Sequence, residues 1–147
     1  MGNRLVYAAV IIVVAALIGF YVLELRTTDD AEPTYGESVQ AQGQTGVINI
    51  DQEIERTRHL QPERKQIMDG MIEGNLASRI ENPTGAPFIY VMEPFYMLST
   101  EEQTSLLNVV LYYYMTEDRN SDVLTIFSDE TGQEIGTYTP TGLLMGE

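Results

Sequence analysis

The sequence predicts a single N-terminal transmembrane helix followed by a small α+β domain, ordered helix, strand, helix, β-hairpin, on a mainly antiparallel sheet. Three observations predict it. Leu5–Leu23 is a run of 19 residues with no charged side chain. Residues 27–48 are dominated by Thr, Gln, Gly and acidic residues, with scattered apolar positions. From Asn49 onward, apolar residues at helical spacing alternate with short aromatic and β-branched runs. The resulting division is an anchor over 1–26, a flexible acidic and polar linker over 27–48, and an extracytoplasmic domain over 49–147.

Each element has a local cause. At about 1.5 Å per residue, a helix over 5–23 reaches roughly 28 Å, close to the hydrocarbon thickness of a bilayer. Tyr7, Phe20 and Tyr21 lie near its ends, where aromatic rings favour the membrane interface. The run is longer than a cleaved signal's apolar region and ends without a small-residue cleavage pattern, which points to an uncleaved signal anchor. Met1-Gly2 is not a myristoylation start, because Val6 stands where Ser or Thr is needed. A short N-terminus with Arg4 favours an N-in orientation. The linker buries too little apolar surface to order itself and reads as a tether.

In the domain, Asn49 or Asp51 can cap a short polar helix running to Leu60. Pro62 suits the first turn of a second helix. Ile67, Met68, Met71, Ile72 and Leu76 recur along it at three- and four-residue steps, so the helix is expected over 62–80. Its alternating charges read as a solvated face. Residues 82–87 form a loop by their Asn, Pro and Gly content. Phe88–Met92 is apolar on both faces and reads as a central strand, ended by Pro94. Ser99 and Glu102 form a capping box for a helix from Gln103 to about Thr116. That helix is apolar almost all round from Leu106 to Met115, so it needs cover on most sides, from the sheet on one and the preceding helix or a partner on another. Val123–Ser128 and Glu134–Thr139 read as a hairpin around a loop in which Gly132 can take positive φ. Pro140 stops the second strand, and 141–147 reads as a frayed tail unless docked.

Charge narrows the partners. The chain has 8 basic and 22 acidic residues, a net charge of −14, and no Cys. Residues 1–26 hold Arg4, Arg26 and Glu24, leaving a net of −15 on the other 121 residues. Such a domain repels nucleic acid and anionic headgroups and attracts cations or a basic partner, while the alternative reading of the charge is solubility or adaptation to a salty habitat. Without Cys there is neither a disulfide nor a thiolate metal site. No nucleophile elbow, phosphate loop, dinucleotide fingerprint or zinc spacing is present, so neither a catalytic residue nor a cofactor is expected.

Two constellations are candidates for binding. Asp118, Asn120 and Asp122 supply oxygens at steps of two, with Asp129 at the twelfth place, a partial match to a calcium loop. Val123 occupies the position that wants Gly, and a strand follows where a helix is expected; a polar loop is the alternative. Tyr112, Tyr113 and Tyr114, with Phe95 and Tyr96, are the candidates for partner binding. Steps of 100° send the three tyrosines in different directions, so two rings are expected in the core and one toward solvent or a partner. His59, the single His, lies in a polar segment and reads as exposed.

The stretch from Pro94-Phe95-Tyr96-Met97-Leu98, through the Tyr-rich helix, to the Thr131-Gly132 hairpin and Tyr138 resembles a pattern in short bacterial proteins of unknown function, over residues 94–143. The resemblance implies no activity. It implies a bacterial origin, which would place the anchor in the inner membrane and the domain in the periplasm. The expectation is a non-enzymatic accessory or interaction protein, touching the lipid bilayer through residues 5–23 and a protein partner through its domain. The alternatives are a small binding module for a divalent cation or small ligand at 118–129, and an envelope enzyme built on scattered carboxylates.

Overall fold

The computed structural model describes residues 49–146, together with Ala16, Ile18, Gly19 and Leu23. Among the described residues no helix is long and apolar enough to cross a membrane. The expected single-pass signal anchor, and the inner-membrane and periplasmic placement built on it, are corrected on that finding. Ile18, which an anchor would turn toward lipid, is half-buried against the apolar core instead. The rest of the expected span and the linker over 27–48 lie outside the described residues.

The described chain is a small α+β domain with a five-stranded mixed sheet. Helix α1 (Ile50–Thr57) begins where the Asn49 side chain accepts from the Gln52 N–H at 3.2 Å. A 3-10 turn, Arg58–Leu60, leads into α2 (Gln61–Glu73), with Pro62 in its first turn. The expected continuation of α2 to residue 80 is corrected. The helix stops at Gly74, and Asn75 takes φ +54°. Leu76 N–H then donates to Met71 O at 2.9 Å, and Asn75 N–H to Ile72 O at 3.1 Å, a paired closure that ends helices on a left-handed residue. The freed chain forms β1 (Ala77–Glu81) and β2 (Phe88–Val91), a short helical turn α3 (Glu93–Tyr96), the long helix α4 (Thr100–Glu117), and strands β3 (Leu124–Ser128), β4 (Glu134–Thr139) and β5 (Gly142–Met145).

The strands lie in sequence order, β1 through β5. Three pairings are antiparallel, but β2 and β3 run parallel, Ile89 opposite Ile126 and Tyr90 opposite Phe127. The expected hairpin forms as β3–β4 and most pairings are antiparallel as expected, but the parallel β2–β3 pair makes the sheet mixed, which the sequence reading did not foresee. The reason is the connection: a parallel pair needs a crossover long enough to return the chain, and α3 and α4 supply it. The expected frayed tail is also corrected. Thr139 pairs with Gly142 across a Pro140-Thr141 turn, and β5 lies against β4. A Cβ on Gly136 would fall 2.6 Å from the Leu144 carbonyl oxygen, so glycine is what lets β5 approach.

Helix α4 lies against α1 and α2 on one side and β3 and β4 on the other. Leu106, Leu107, Val109, Val110 and Leu111 are fully buried. A polar link ties α4 to the sheet, from Asn108 Nδ2 to Tyr138 Oη at 3.2 Å. Arg64, expected on a solvated face, is buried between α2 and α4. Burying a guanidinium is tolerable only with donors satisfied. It donates to Thr57 Oγ1 at 2.6 Å, Gln61 Oε1 at 2.9 Å and Thr116 Oγ1 at 3.3 Å, and its carbon sits 5.7 Å from the Tyr112 ring centre. The opposite sheet face carries a half-buried aromatic row. Tyr90 stacks on Phe127 at 5.0 Å, Phe88 meets Phe127 edge-on at 5.7 Å, and Arg79 covers Tyr90 at 3.8 Å.

The Ser99 capping box is formed. Ser99 Oγ accepts from Glu102 N–H at 3.2 Å, and the Glu102 carboxylate accepts from Ser99 N–H at 2.8 Å. The Glu102 carboxylate also accepts from the Ser99 hydroxyl at 2.8 Å, and the two bonds it accepts, from the Ser99 N–H first and the hydroxyl second, hold the carboxyl below the usual glutamate range. A depressed carboxyl contributes stability that is complete above its unfolded pKa and is lost as pH falls through its lower folded value. Ser99→Ala is expected to cost about 1 kcal/mol in a denaturant titration near neutral pH. It also shallows the acid limb of stability against pH, because one of the bonds favouring the charged form is gone.

Candidate functional site

The parallel pair releases its two chains side by side at the carboxyl ends of β2 and β3. In sheets with parallel strands, that end is where crevices form. After Val91 the backbone stays extended through Met92, whose N–H donates to Leu76 O at 2.9 Å. Glu93 and Pro94 then start α3, with proline suited to a first turn. Phe95 turns inward and is buried, while Tyr96 is 47% and Met97 75% exposed. Gln103 of α4 fixes this turn by donating to Phe95 O at 3.2 Å and Leu98 O at 3.1 Å.

On the β3 side, Asp129 N–H donates to Val91 O at 2.9 Å, extending the parallel ladder by one step. Its carboxylate accepts from Ser78 Oγ of β1 at 2.5 Å. Glu130 follows in the hairpin loop, which Gly132 N–H closes by donating to Ser128 O at 2.8 Å with Gly132 at φ +67°. Between these segments lies an open cleft of about 500 Å³. Met92 gives it apolar lining above the buried Val91 and Ser128, Tyr96 forms one wall, and the exposed Glu93, Asp129 and Glu130 form its rim.

A second, smaller cleft of about 290 Å³ lies where α2, α4 and β1 meet. It holds Tyr113 and Tyr114, which meet edge-on at 5.2 Å, beside Met68, Ile72 and Ile80. Partial burial pushes the Tyr114 hydroxyl above the usual tyrosine range. At the mouth, the Lys65 ammonium is raised, chiefly by its hydrogen bond to Asp69.

The sequence-derived candidates are dispersed. Tyr112 and Phe95 are buried, Tyr113 and Tyr114 are half-buried, and Tyr96 is exposed. Of the five, Tyr96 alone lines the larger cleft. His59 lies exposed in the 3-10 turn. The four oxygen-bearing residues of the 118–129 loop do not converge. Asp118 accepts from Asn120 Nδ2 at 2.8 Å, and Asp122 pairs with Arg119, which also pairs with Asp51. Asp129 stands beyond the whole of β3, roughly 20 Å away at about 3.3 Å per strand residue. Among the described residues no group of three or more His, Cys, Asp or Glu could hold a metal ion.

The sequence-derived candidates did not include Glu93 or Glu130, and they grouped Asp129 with residues that lie at the other end of β3. A signal was available in the order of elements, since a strand, a long helix and a second strand make a crossover that sets both strand ends together. No protein-family model, curated protein or solved structure matches the chain.

Calcium provides a direct check on the dispersed loop. Millimolar calcium is expected to leave the melting temperature of the full chain unchanged, because ligand-linked stabilisation requires a site that the folded state assembles. A saturable rise abolished by Asp118→Asn would contradict this geometry.

Proposed function

We propose that this domain is a non-enzymatic interaction module whose docking surface is the end of the sheet where β2 and β3 finish. The observation that carries the reading is the exposure of Tyr96, which lines the cleft, and of the adjacent Met97, on a turn pinned to α4. Aromatic residues and Met are enriched at protein interfaces, where a rigidly held ring offers contact area at little entropic cost. The remainder of α3 is anchored by Phe95, so the two exposed side chains are presented rather than loose. The acidic surface supports the same reading, because charge of one sign steers association with partners of the other.

A photo-crosslinking residue at position 97 of the full chain, in cells that make the protein, tests this. The expected result is a discrete adduct that weakens with Tyr96→Ala and is absent when the crosslinker is at exposed Glu73. A monomeric protein that gives no adduct from position 97, or the same adducts from both positions, would overturn the reading.

A further inference from the structure

The cleft at the ends of β2 and β3 also indicates the chemistry of its occupant. Most described basic side chains are committed to acids elsewhere: Arg56 to Glu53, Arg58 to Glu55, Lys65 to Asp69, Arg79 to Glu81, and Arg119 to Asp51 and Asp122. Arg64 is buried under α4. Among the described residues no ion pair includes Glu93, Asp129 or Glu130. These three exposed carboxylates surround one concavity with no basic residue in its lining. Like charges gathered at a cleft focus a negative potential inside it.

The lining adds a second requirement. Half-buried Met92 and the exposed Tyr96 give the cleft an apolar surface and an aromatic wall. A small hydrated cation would satisfy the rim and leave that surface wet. A long-stemmed cationic side chain satisfies both, laying its methylenes on apolar surface while its head meets the carboxylates. Arginine fits better than lysine. Its planar guanidinium donates in a fork to carboxylates and stacks on an aromatic face, whereas an ammonium is a compact, strongly hydrated charge. We propose that the cleft receives arginine side chains from an extended segment of a protein partner, a conclusion that rests on the interaction reading above. Asp129 is the fixed member of the rim, since its backbone extends the β-ladder and its carboxylate is held by Ser78. Glu93 and Glu130, on the turns to either side, close on the guanidinium.

The test uses the full chain and a fluorescent, acetylated Gly-Arg-Gly-Arg-Gly peptide, with affinity read by anisotropy at low and physiological ionic strength. The same peptide with citrulline in place of arginine keeps the shape and removes the charge. Wild-type protein is expected to bind the arginine peptide and not the citrulline one. Glu93→Gln/Glu130→Gln weakens binding about tenfold or more, as expected when charge-assisted hydrogen bonds are lost. Asp118→Asn/Asp122→Asn removes the same charge at the far end of β3 and changes binding less than about twofold, because screening confines each charge to its surroundings. Tyr96→Phe retains affinity and Tyr96→Ala does not. All the substituted positions are at the surface, and circular dichroism confirms that each variant is folded.

Equal weakening by the two double variants, equal binding of the citrulline peptide, or no binding by wild type would overturn the proposal. If the arginine peptide fails while position 97 still gives a Tyr96-dependent adduct, the interaction reading stands and the arginine cleft falls. If both fail, both readings fall.

Discussion

The constraint on which this structure depends is that α4 is apolar on nearly every side and cannot be left uncovered. Leu106, Leu107, Val109, Val110, Leu111 and Met115 point in directions that no single neighbour can shield. Fully burying a side chain of this size contributes roughly 1.5–3 kcal/mol, so the helix is the largest single source of apolar stabilisation in the domain. The solution is a sandwich. The sheet closes one side, and α1 and α2 close the other. Once α4 lies in the middle, the chain must leave it at the end of the sheet opposite to the one where it entered. That makes β3 parallel to β2 rather than its hairpin partner.

The parallel pairing has a functional consequence. A hairpin would have joined the ends of β2 and β3 with a tight turn. The crossover instead leaves both chain exits open beside each other, with α3 and the β3–β4 loop diverging from them. The cleft is the space between those two exits. Its acids come from segments far apart in the chain, Glu93 before the crossover and Asp129 and Glu130 after it. Its aromatic wall stays in place because Gln103 ties the α3 turn to the helix that the fold is built around.

Features set by chemistry within a few residues were legible in the sequence. The Ser99 and Glu102 box, the Asn49 cap, Pro62 in the first turn of α2 and the Gly132 loop all occur where their side chains implied. Features set by distant partners were not. β1 reads Ala-Ser-Arg-Ile-Glu, too polar to announce a strand, and it is held by pairing with β2. The Gly74-Asn75 closure that separates it from α2 was a local signal, outweighed by the helical spacing of Leu76. β5 depends on Gly136 admitting it, a contact between strands that no single segment reveals. Arg64 resembled its exposed neighbours until Thr57, Gln61 and Thr116 assembled around it. The apolar run over 5–23 met the length and composition expected of a span, which record hydrophobicity and not what the side chains touch. Ile18 touches the domain core.

Native-state hydrogen exchange on the full chain tests most directly the claim that α4 and the parallel pair form one unit. Amides in the middle of α4, in β2 and in β3 are expected to be the slowest to exchange and to share one opening free energy, equal to that of global unfolding. Opening of α1, β5 or the 118–123 loop should occur at lower cost without exposing them. If β3, β4 and β5 stay protected as a meander after α4 and β2 have exchanged, the crossover is not what holds the fold together, and the account is wrong.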